Sequence, residues 1–490
     1  MPSSQMYSVE STLVRPSEQA EAYTEGRKQH WEDYARSASK WVRLRSYYQF
    51  RLAEIYKLSV PPGMRVLELG CGDGTLLAKL DPAYGYGLDL SSGLIERARS
   101  KYPGLHFEVG DASALQLEGE FDFIVCSDLL NDLWDVQSVL EKISIHCHPR
   151  TRLLINGYSR LWEGPRHLAE ALGLAKPQLS QNWLTVEDIS NLLTLSGFEM
   201  IRASSEIMCP IRFPFLDSLC NRYLVKAWPF RLLGITNFIV ARPVPKLNSP
   251  PEPVVTVVVP ARNEAGNIAA ILDRLPEMGA GTELIFVEGN SNDGTYERIE
   301  QEIAARPGCT AKLYKQTGRG KGDAVRLGFE RSSGDLLMIL DADLTVPPED
   351  LPRFYDAWYF GRGDFINGVR LVYPMEDRAM RFLNLLGNKF FSVAFSWLLS
   401  QSVKDSLCGT KVLSRSHYET IAANRAYFGE IDPFGDFDLL FGAARYNLKI
   451  LDLPIRYRER KYGETNIQRW RHGLLLLRMV LLASRRIRFV

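Results

Sequence analysis

Two aspartates, Asp341 and Asp343, close the apolar run in LLMILDADLTVPPEDLP (336–352). A strand ending on two carboxylates one residue apart presents hard oxygen donors at its C-terminal edge, where a divalent cation and a diphosphate can meet. An isolated Asp-x-Asp is common by chance, so the order of neighbouring segments carries the weight. Here strand-PARNE (260–264), strand-EGNSNDGT (288–295) and GRGKGDA (318–324) precede it.

A different chemistry is written near the start of the chain. In VLELGCGDGT (66–75), Gly70, Gly72 and Gly74 follow a buried strand and precede a helix. Glycine there permits positive φ and close approach of the backbone to a ligand. Asp89 ends the next strand, in YGYGLDLS, where a carboxylate can accept two hydrogen bonds from a ribose diol. Asp111, in GDA (110–112), ends the third strand and is placed to receive an adenine amino group.

Positioning these residues requires two sets of alternating strands and helices, which predicts α/β domains on largely parallel sheets. The first set has a helical lead-in over about 20–57 and strands at 66–69, 84–89, 105–109, 121–126 and 151–156. A helix over 185–196 leads to GFEMI, and a strand at 235–241 closes the sheet. The second set opens on Val254–Val259, whose length and β-branching predict a fully buried strand. Further strands fall near 282–287, 310–315 and 335–340. Between the sets, Pro243, Pro245, Pro250, Pro251 and Pro253 favour extended chain, giving domains at 1–242 and 254–490 and a linker at 243–253.

With 490 residues, 46% of them apolar, and a formal charge of +1, the chain is long enough for two or three domains and carries no global signature of a nucleic-acid binder. The exception is the C-terminal stretch. From Arg456 onward ten Lys or Arg stand against Glu459 and Glu464, a patch suited to anionic lipid heads or phosphates. Seven cysteines without a paired spacing predict a reducing compartment. The polar N-terminus and the lack of any long apolar run predict a protein in the cytoplasm, peripheral on the inner face of the cell membrane.

Residues 60–200 resemble a class I S-adenosylmethionine-dependent methyltransferase. The likeness rests on Glu68 and the three glycines, on Asp89 and Asp111, and on FDFIVCSDLLNDLW (121–134), which contains Asp128. It implies a Rossmann-like fold in which these residues bind the methyl donor. Methylating an oxygen requires a base, and Asp128, Asp132, His146, His148, Glu163 and His167 are candidates. His146-Cys147-His148 is a poor metal site, since adjacent residues of an extended segment point to opposite faces. The loop type used on exocyclic amines of nucleobases is absent.

Residues 254–490 resemble the family 2 glycosyltransferases of GT-A fold. Within them the likeness is to dolichyl-phosphate sugar synthases, through DSLCGTK (405–411) and RERKYGETNI (458–467). It implies Pro260, Glu264 and Glu288 near the nucleoside, Lys321 beside the nucleotide phosphates, and Asp341 and Asp343 on Mg²⁺ or Mn²⁺. Where relatives often read Val-Asp-Asp-Gly-Ser, this chain has Val287-Glu288-Gly289-Asn290-Ser291, so one acid remains and the base is open. A sugar hydroxyl acceptor needs a general base, whereas a phosphate acceptor is already anionic and needs cations instead. Arg370, Arg381, Arg460 and Lys461 are available for a phosphate. Asp405 is a candidate base or metal-side ligand, with Asp432, Asp436 and Asp438 as alternatives.

Two segments, 378–403 and 471–488, recur apolar at helical spacing with polar insertions. They fit helices lying in a membrane interface, or ordinary core helices. The expectation is a bacterial-type bifunctional enzyme. Its front half uses S-adenosylmethionine, and its back half moves a sugar from a nucleoside diphosphate to polyprenyl phosphate. A soluble transferase acting on a hydroxyl, or a non-catalytic front domain that only binds the methyl donor, are the alternatives.

Overall fold

The computed structural model describes residues 16–36, 41–172, 179, 181–245, 251–370, 372, 382–425, 435–458, 460, 462 and 469–489. The lead-in is two helices, Pro16–Arg36 and Trp41–Ser59. Seven strands follow: β1 (Arg65–Leu69), β2 (Tyr84–Asp89), β3 (His106–Val109), β4 (Phe121–Ser127), β5 (Cys147–Tyr158), β6 (Phe198–Glu206) and β7 (Thr236–Pro243). They form one sheet in the order β3-β2-β1-β4-β5-β7-β6. The first five are parallel, and β7 runs antiparallel between β5 and β6. The last strand therefore lies inside the sheet and β6 takes the edge, a refinement of the closing position expected for 235–241. Apolar side chains pack on both faces, Leu67, Ile124 and Leu153 on one and Val66, Val125 and Leu154 on the other. Burial on both sides is why the apolar stretches of β1, β4 and the middle of β5 are continuous.

The second sheet contains β8 (Val254–Ala261), β9 (Gly281–Glu288), β10 (Ala311–Lys315), β11 (Leu336–Ile339), β12 (Phe365–Val369), β13 (Lys411–Ser414) and β14 (Ile450–Pro454). Their order is β10-β9-β8-β11-β13-β12-β14, with β13 antiparallel to both of its neighbours. The last three strands carry no long apolar run, and Asn367, Gly368 and Asp452 interrupt two of them, which hides them from the sequence pattern. Because β13 runs backwards, the chain entering it arrives at the edge where the parallel strands end. Residues 262–264, 288, 341–343, 370 and 405–410 are thereby gathered on one side of the sheet.

Helix Phe382–Leu399 and helix Arg469–Ala483 pack together on this domain, burying Phe395, Leu398, Leu476 and Met479. The two domains meet through polar groups. Buried Arg152 of β5 and Arg242 of β7 both donate to Asp364, each at 2.7 Å. Arg152 Nε also donates to the Asn447 carbonyl at 2.7 Å, and Arg202 Nη2 reaches Asn447 Oδ1 at 3.0 Å. Burial works against ionising the Asp364 carboxyl, and the two guanidinium groups outweigh it, holding the group below the usual carboxylate range.

Candidate active sites

In the first domain the loops leaving β1, β2, β3 and β4 surround a cavity of about 330 Å³, a size suited to a small ligand. Gly70, Gly72 and Gly74 all adopt positive φ, so the loop takes a path that residues with a Cβ rarely follow. The Asp89 carboxylate fixes that path, accepting from Gly72 N at 2.8 Å and from Ser91 N at 2.9 Å. Burial raises the Asp89 carboxyl against the pull of these amides. Glu68 is buried deeper. Desolvation holds its carboxyl well above the usual range, and one oxygen, Oε2, has no hydrogen-bond partner. Asp111 accepts from the amide and hydroxyl of Ser113 at 2.8 and 2.6 Å. Asp128 accepts from Asn156 Nδ2 at 2.6 Å and from the Tyr48 hydroxyl at 3.1 Å.

Glu68, the first two glycines, Asp89, Asp111 and Asp128 all line this one cavity. Gly74 stands just behind, as the N-cap of helix Thr75–Lys79. Helix residues Arg27, Trp31, Tyr34 and Gln49 also line the cavity, together with Tyr158 and Gln181. Sequence reasoning missed them. The only signal was the density of aromatic residues in the lead-in. Asp132 lines the cavity too, 3.7 Å from Arg27. The histidine candidates fall elsewhere. His146 and His148 sit where β5 begins, the opposite edge from Asp128, with His148 Nε2 3.2 Å from Asp122. Glu163 and His167 lie on helix Glu163–Ala171, outside the cavity lining.

In the second domain, Lys321 opens helix Lys321–Arg331 and places its ammonium 2.5 Å from Asp341 Oδ1 and 4.0 Å from Asp436 Oδ1. Desolvation disfavours both charges. The attraction between them wins, raising Lys321 and lowering Asp341. Asp343 accepts from the Thr345 hydroxyl at 2.8 Å and pairs with Arg460 at 2.7 Å. The other arm of Arg460 lies 3.4 Å from Glu264. Burial pushes the Glu264 carboxyl up to about 7 despite that partner, and Asn267 donates to its second oxygen at 2.7 Å. Glu288 is buried and accepts from Ser291 N at 2.5 Å. Pro260 is the penultimate residue of β8, in register with Val287.

Gly409 closes this floor. A Cβ there would sit 2.1 Å from both Asp341 Oδ2 and Lys321 Nζ.

Asp405 is 1% exposed and bidentate with Arg370, at 2.7 and 2.9 Å, and it also accepts from the amides of Arg370 and Leu407. Burial opposes ionisation, but Arg370 holds the carboxyl below the usual range. A carboxylate so engaged is a poor proton acceptor. In this arrangement Asp405, expected as a base, anchors Arg370, whose guanidinium also lies 5.2 Å from the Tyr457 ring centroid. Asp436 and Asp438 are buried in the first turn of helix Asp436–Arg445, and Asp438 pairs with Arg425 at 2.7 Å. Arg381, Lys461 and Asp432 lie outside the described residues. Tyr457, Tyr462 and Thr345 join the site without any signal in spacing.

Both sites fit the groups their chemistry calls for. In the first, the glycine-walled cavity with Asp89 and Asp111 on its lining suits a nucleoside bearing hydroxyl and amino donors. In the second, two carboxylates at a strand end suit a cation such as Mg²⁺, which takes one or two carboxylates and completes its shell with substrate phosphates. Among the described residues no cluster of three or more His, Cys, Asp or Glu forms a self-contained metal cage.

Residues 256–421 match the family model described as glycosyl transferase family 2, and residues 41–203 match that of a methyltransferase domain. The second half is 26% identical over 228 residues to an undecaprenyl-phosphate 4-deoxy-4-formamido-L-arabinose transferase of Edwardsiella ictaluri, covering 46% of this chain and 64% of that protein. It is 39% identical over 108 residues to a dolichol-phosphate mannosyltransferase of Saccharomyces cerevisiae, covering 21% of this chain and 40% of that protein. The matched stretch thus spans less than two thirds of either relative. A glucosyl-3-phosphoglycerate synthase of Mycobacterium tuberculosis, solved with Mn²⁺ and uridine diphosphate, aligns at a TM-score of 0.36 and 18% identity, over 48% of this chain and 80% of that one. Likeness that slight has no bearing on chemistry.

Proposed function

Because the chain joins a methyltransferase domain to a family 2 glycosyltransferase domain, we propose that it is a bifunctional enzyme. The back half transfers a sugar from a nucleoside diphosphate to a polyprenyl phosphate at the cytoplasmic membrane face, and the front half methylates a sugar or intermediate of the same route. The observation that carries the acceptor is the bidentate Arg370–Asp405 pair. It commits the expected base to an arginine and fixes that arginine at the edge shared with Asp341 and Asp343, which suits an acceptor that arrives already anionic.

Lys321 is positioned to hold the donor's phosphates, and Asp341 and Asp343 would hold the Mg²⁺ or Mn²⁺. The bound cation neutralises charge on the departing diphosphate. Arg460 steadies Asp343 and Glu264 around the donor, and Arg370 orients the acceptor phosphate for attack on the anomeric carbon. In the front half, Asp89 and Asp111 would bind the ribose and adenine ends of S-adenosylmethionine, which supplies an electrophilic methyl group when bound. Asp128, held by Tyr48 and Asn156, faces the cavity and is the group placed to orient the methyl acceptor.

A hydroxyl acceptor is the second reading, favoured by Glu264, whose carboxyl near 7 lies in the range of a general base. The test incubates the protein with a panel of sugar nucleotides and Mg²⁺ or Mn²⁺, with and without polyprenyl phosphate, followed by organic extraction. Sugar entering the organic phase only with the lipid is the expected result. Transfer to a water-soluble hydroxyl acceptor instead would discard the phosphate acceptor.

A further inference from the structure

Between β6 and β7 the front domain inserts residues 208–233, MCPIRFPFLDSLCNRYLVKAWPFRLL, a segment that contributes nothing to the lining of the cavity described above. Its apolar side chains turn outward. Phe213, Phe215, Leu219, Tyr223, Trp228 and Leu232 are all exposed, Phe215 to 92% and Trp228 to 75%. Phe215 also holds φ at 67°, a left-handed conformation rare for an aromatic residue, and in it the ring stands in solvent. Aromatic rings are the side chains a core gains most from burying, so a contiguous group of them outside the core marks an interaction surface.

The exposed charges of this segment have one sign. Arg212, Arg222 and Arg231 are exposed, whereas Asp217, its one acid, is buried, and Lys226 is paired inward with buried Glu206. The surface continues into the back domain. Trp397 Nε1 of helix Phe382–Leu399 donates to the Lys226 carbonyl at 3.0 Å, and the Phe489 ring lies 5.0 Å from Tyr223 and 5.6 Å from Trp397. On the two helices that meet there, Phe390, Val393, Leu474 and Leu481 face outward alongside exposed Arg478 and Arg485.

We propose that segment 208–233 of the methyltransferase domain, together with helices Phe382–Leu399 and Arg469–Ala483, forms one docking face for an anionic lipid bilayer. This deepens the assignment of a lipid-linked acceptor and rests on it for the choice of partner. The chemistry of the face matches a membrane surface on both counts. Trp and Phe side chains sit at headgroup depth, and arginines with no exposed acid within the inserted segment attract anionic lipid. Among the described residues no helix is long and apolar enough to cross a membrane, so these elements lie on the surface.

The experiment uses the full chain and sedimentation with phosphatidylcholine vesicles, with and without phosphatidylglycerol. The parent protein is expected to bind only the anionic vesicles, less strongly at high salt. The double variant F215D/W228A is expected to bind about tenfold more weakly. Both side chains are exposed, so an unchanged melting temperature and unchanged S-adenosylmethionine binding show that the variant is folded. A second reading is tryptophan emission with brominated lipid: quenching in the parent should fall in Trp228→Phe. Variants that bind as the parent does would overturn the proposal. So would a dimer of the chain that the variants dissolve while vesicles bind neither form, which assigns the patch to a second copy. The vesicles contain no polyprenyl phosphate, so failure of sugar transfer to that lipid and failure of docking are read separately.

Discussion

Arg152, within the fifth strand of the first sheet, and Asp364, just before β12 of the second, meet at 2.7 Å in a contact that excludes solvent from the arginine. Arg242 reaches the other oxygen of the same carboxylate. Glu199 pairs with Arg242 from the other side at 2.6 Å, so two acids face the two buried guanidinium groups where the domains join.

Removing Asp364 takes from Arg152 the carboxylate it pairs with and leaves Arg242 on Glu199. Asp364→Ala is expected to destabilise the chain by about 3–5 kcal/mol, the usual cost of breaking a buried ion pair. Thermal unfolding followed by circular dichroism would show it, and a melting temperature equal to the parent's would mean that the junction carries no stability.

Glu264 binds its proton more tightly folded than unfolded, since its carboxyl stands at about 7 against a reference of 4.5. The sign follows from linkage. Its contribution to stability is fully present below about 4.5 and is lost as pH rises through 7. In urea titrations without ligands, Glu264→Gln should therefore lose less stability than the parent between pH 5 and pH 8. Equal losses would show that Glu264 ionises normally.

On the proposed function, Asp343→Ala should lower sugar transfer by about a thousandfold, because the carboxylate assigned to the cation and the diphosphate is gone. S-adenosylmethionine binding by the front domain, followed by calorimetry, should not change. Retained transfer would remove Asp343 from the site.

Asp89→Ala should weaken S-adenosylmethionine binding by about tenfold to a hundredfold, since it removes a ligand group and releases the Gly72 and Ser91 amides that shape the loop. Equilibrium dialysis with labelled donor would decide it, and unaltered affinity would exclude Asp89 from the pocket.

Gly409→Ala places a methyl group 2.1 Å from the Lys321 and Asp341 side chains. Nucleotide affinity should fall at least about tenfold while the domain stays folded, because overpacking forces those side chains apart. Binding of a fluorescent nucleotide, compared with the melting curve, separates this from unfolding.

The strands that carried the glycine loop and the paired aspartates were legible because both faces are buried, which leaves unbroken runs such as Val254–Val259. Strands β12 to β14 were not, since Asn367 and Asp452 serve hydrogen bonds there and break the pattern. Asp341 and Asp343 stood out because they follow such a strand, and Asp89 and Asp111 because they follow strand by strand after the glycine loop. Arg370 and Asp405 were both singled out, yet their pairing was hidden, because it depends on β13 returning antiparallel beside β11. Segment 208–233 passed unnoticed. Its apolar residues follow neither helical nor strand spacing, and only their exposure distinguishes them from a core.

The Arg370–Asp405 pair also ties the neck of a long excursion. Helix Phe382–Leu399 stands between β12 and β13, and the chain returns to β13 past that clasp. Side chains on the outward face of the excursion can change at little cost while the two ends stay in register with Asp341, whereas Phe395, Leu398, Leu399 and Val403 hold its inner face to the core. The outward face is free to diversify toward new surfaces, and the chemistry beneath it is insulated from that drift.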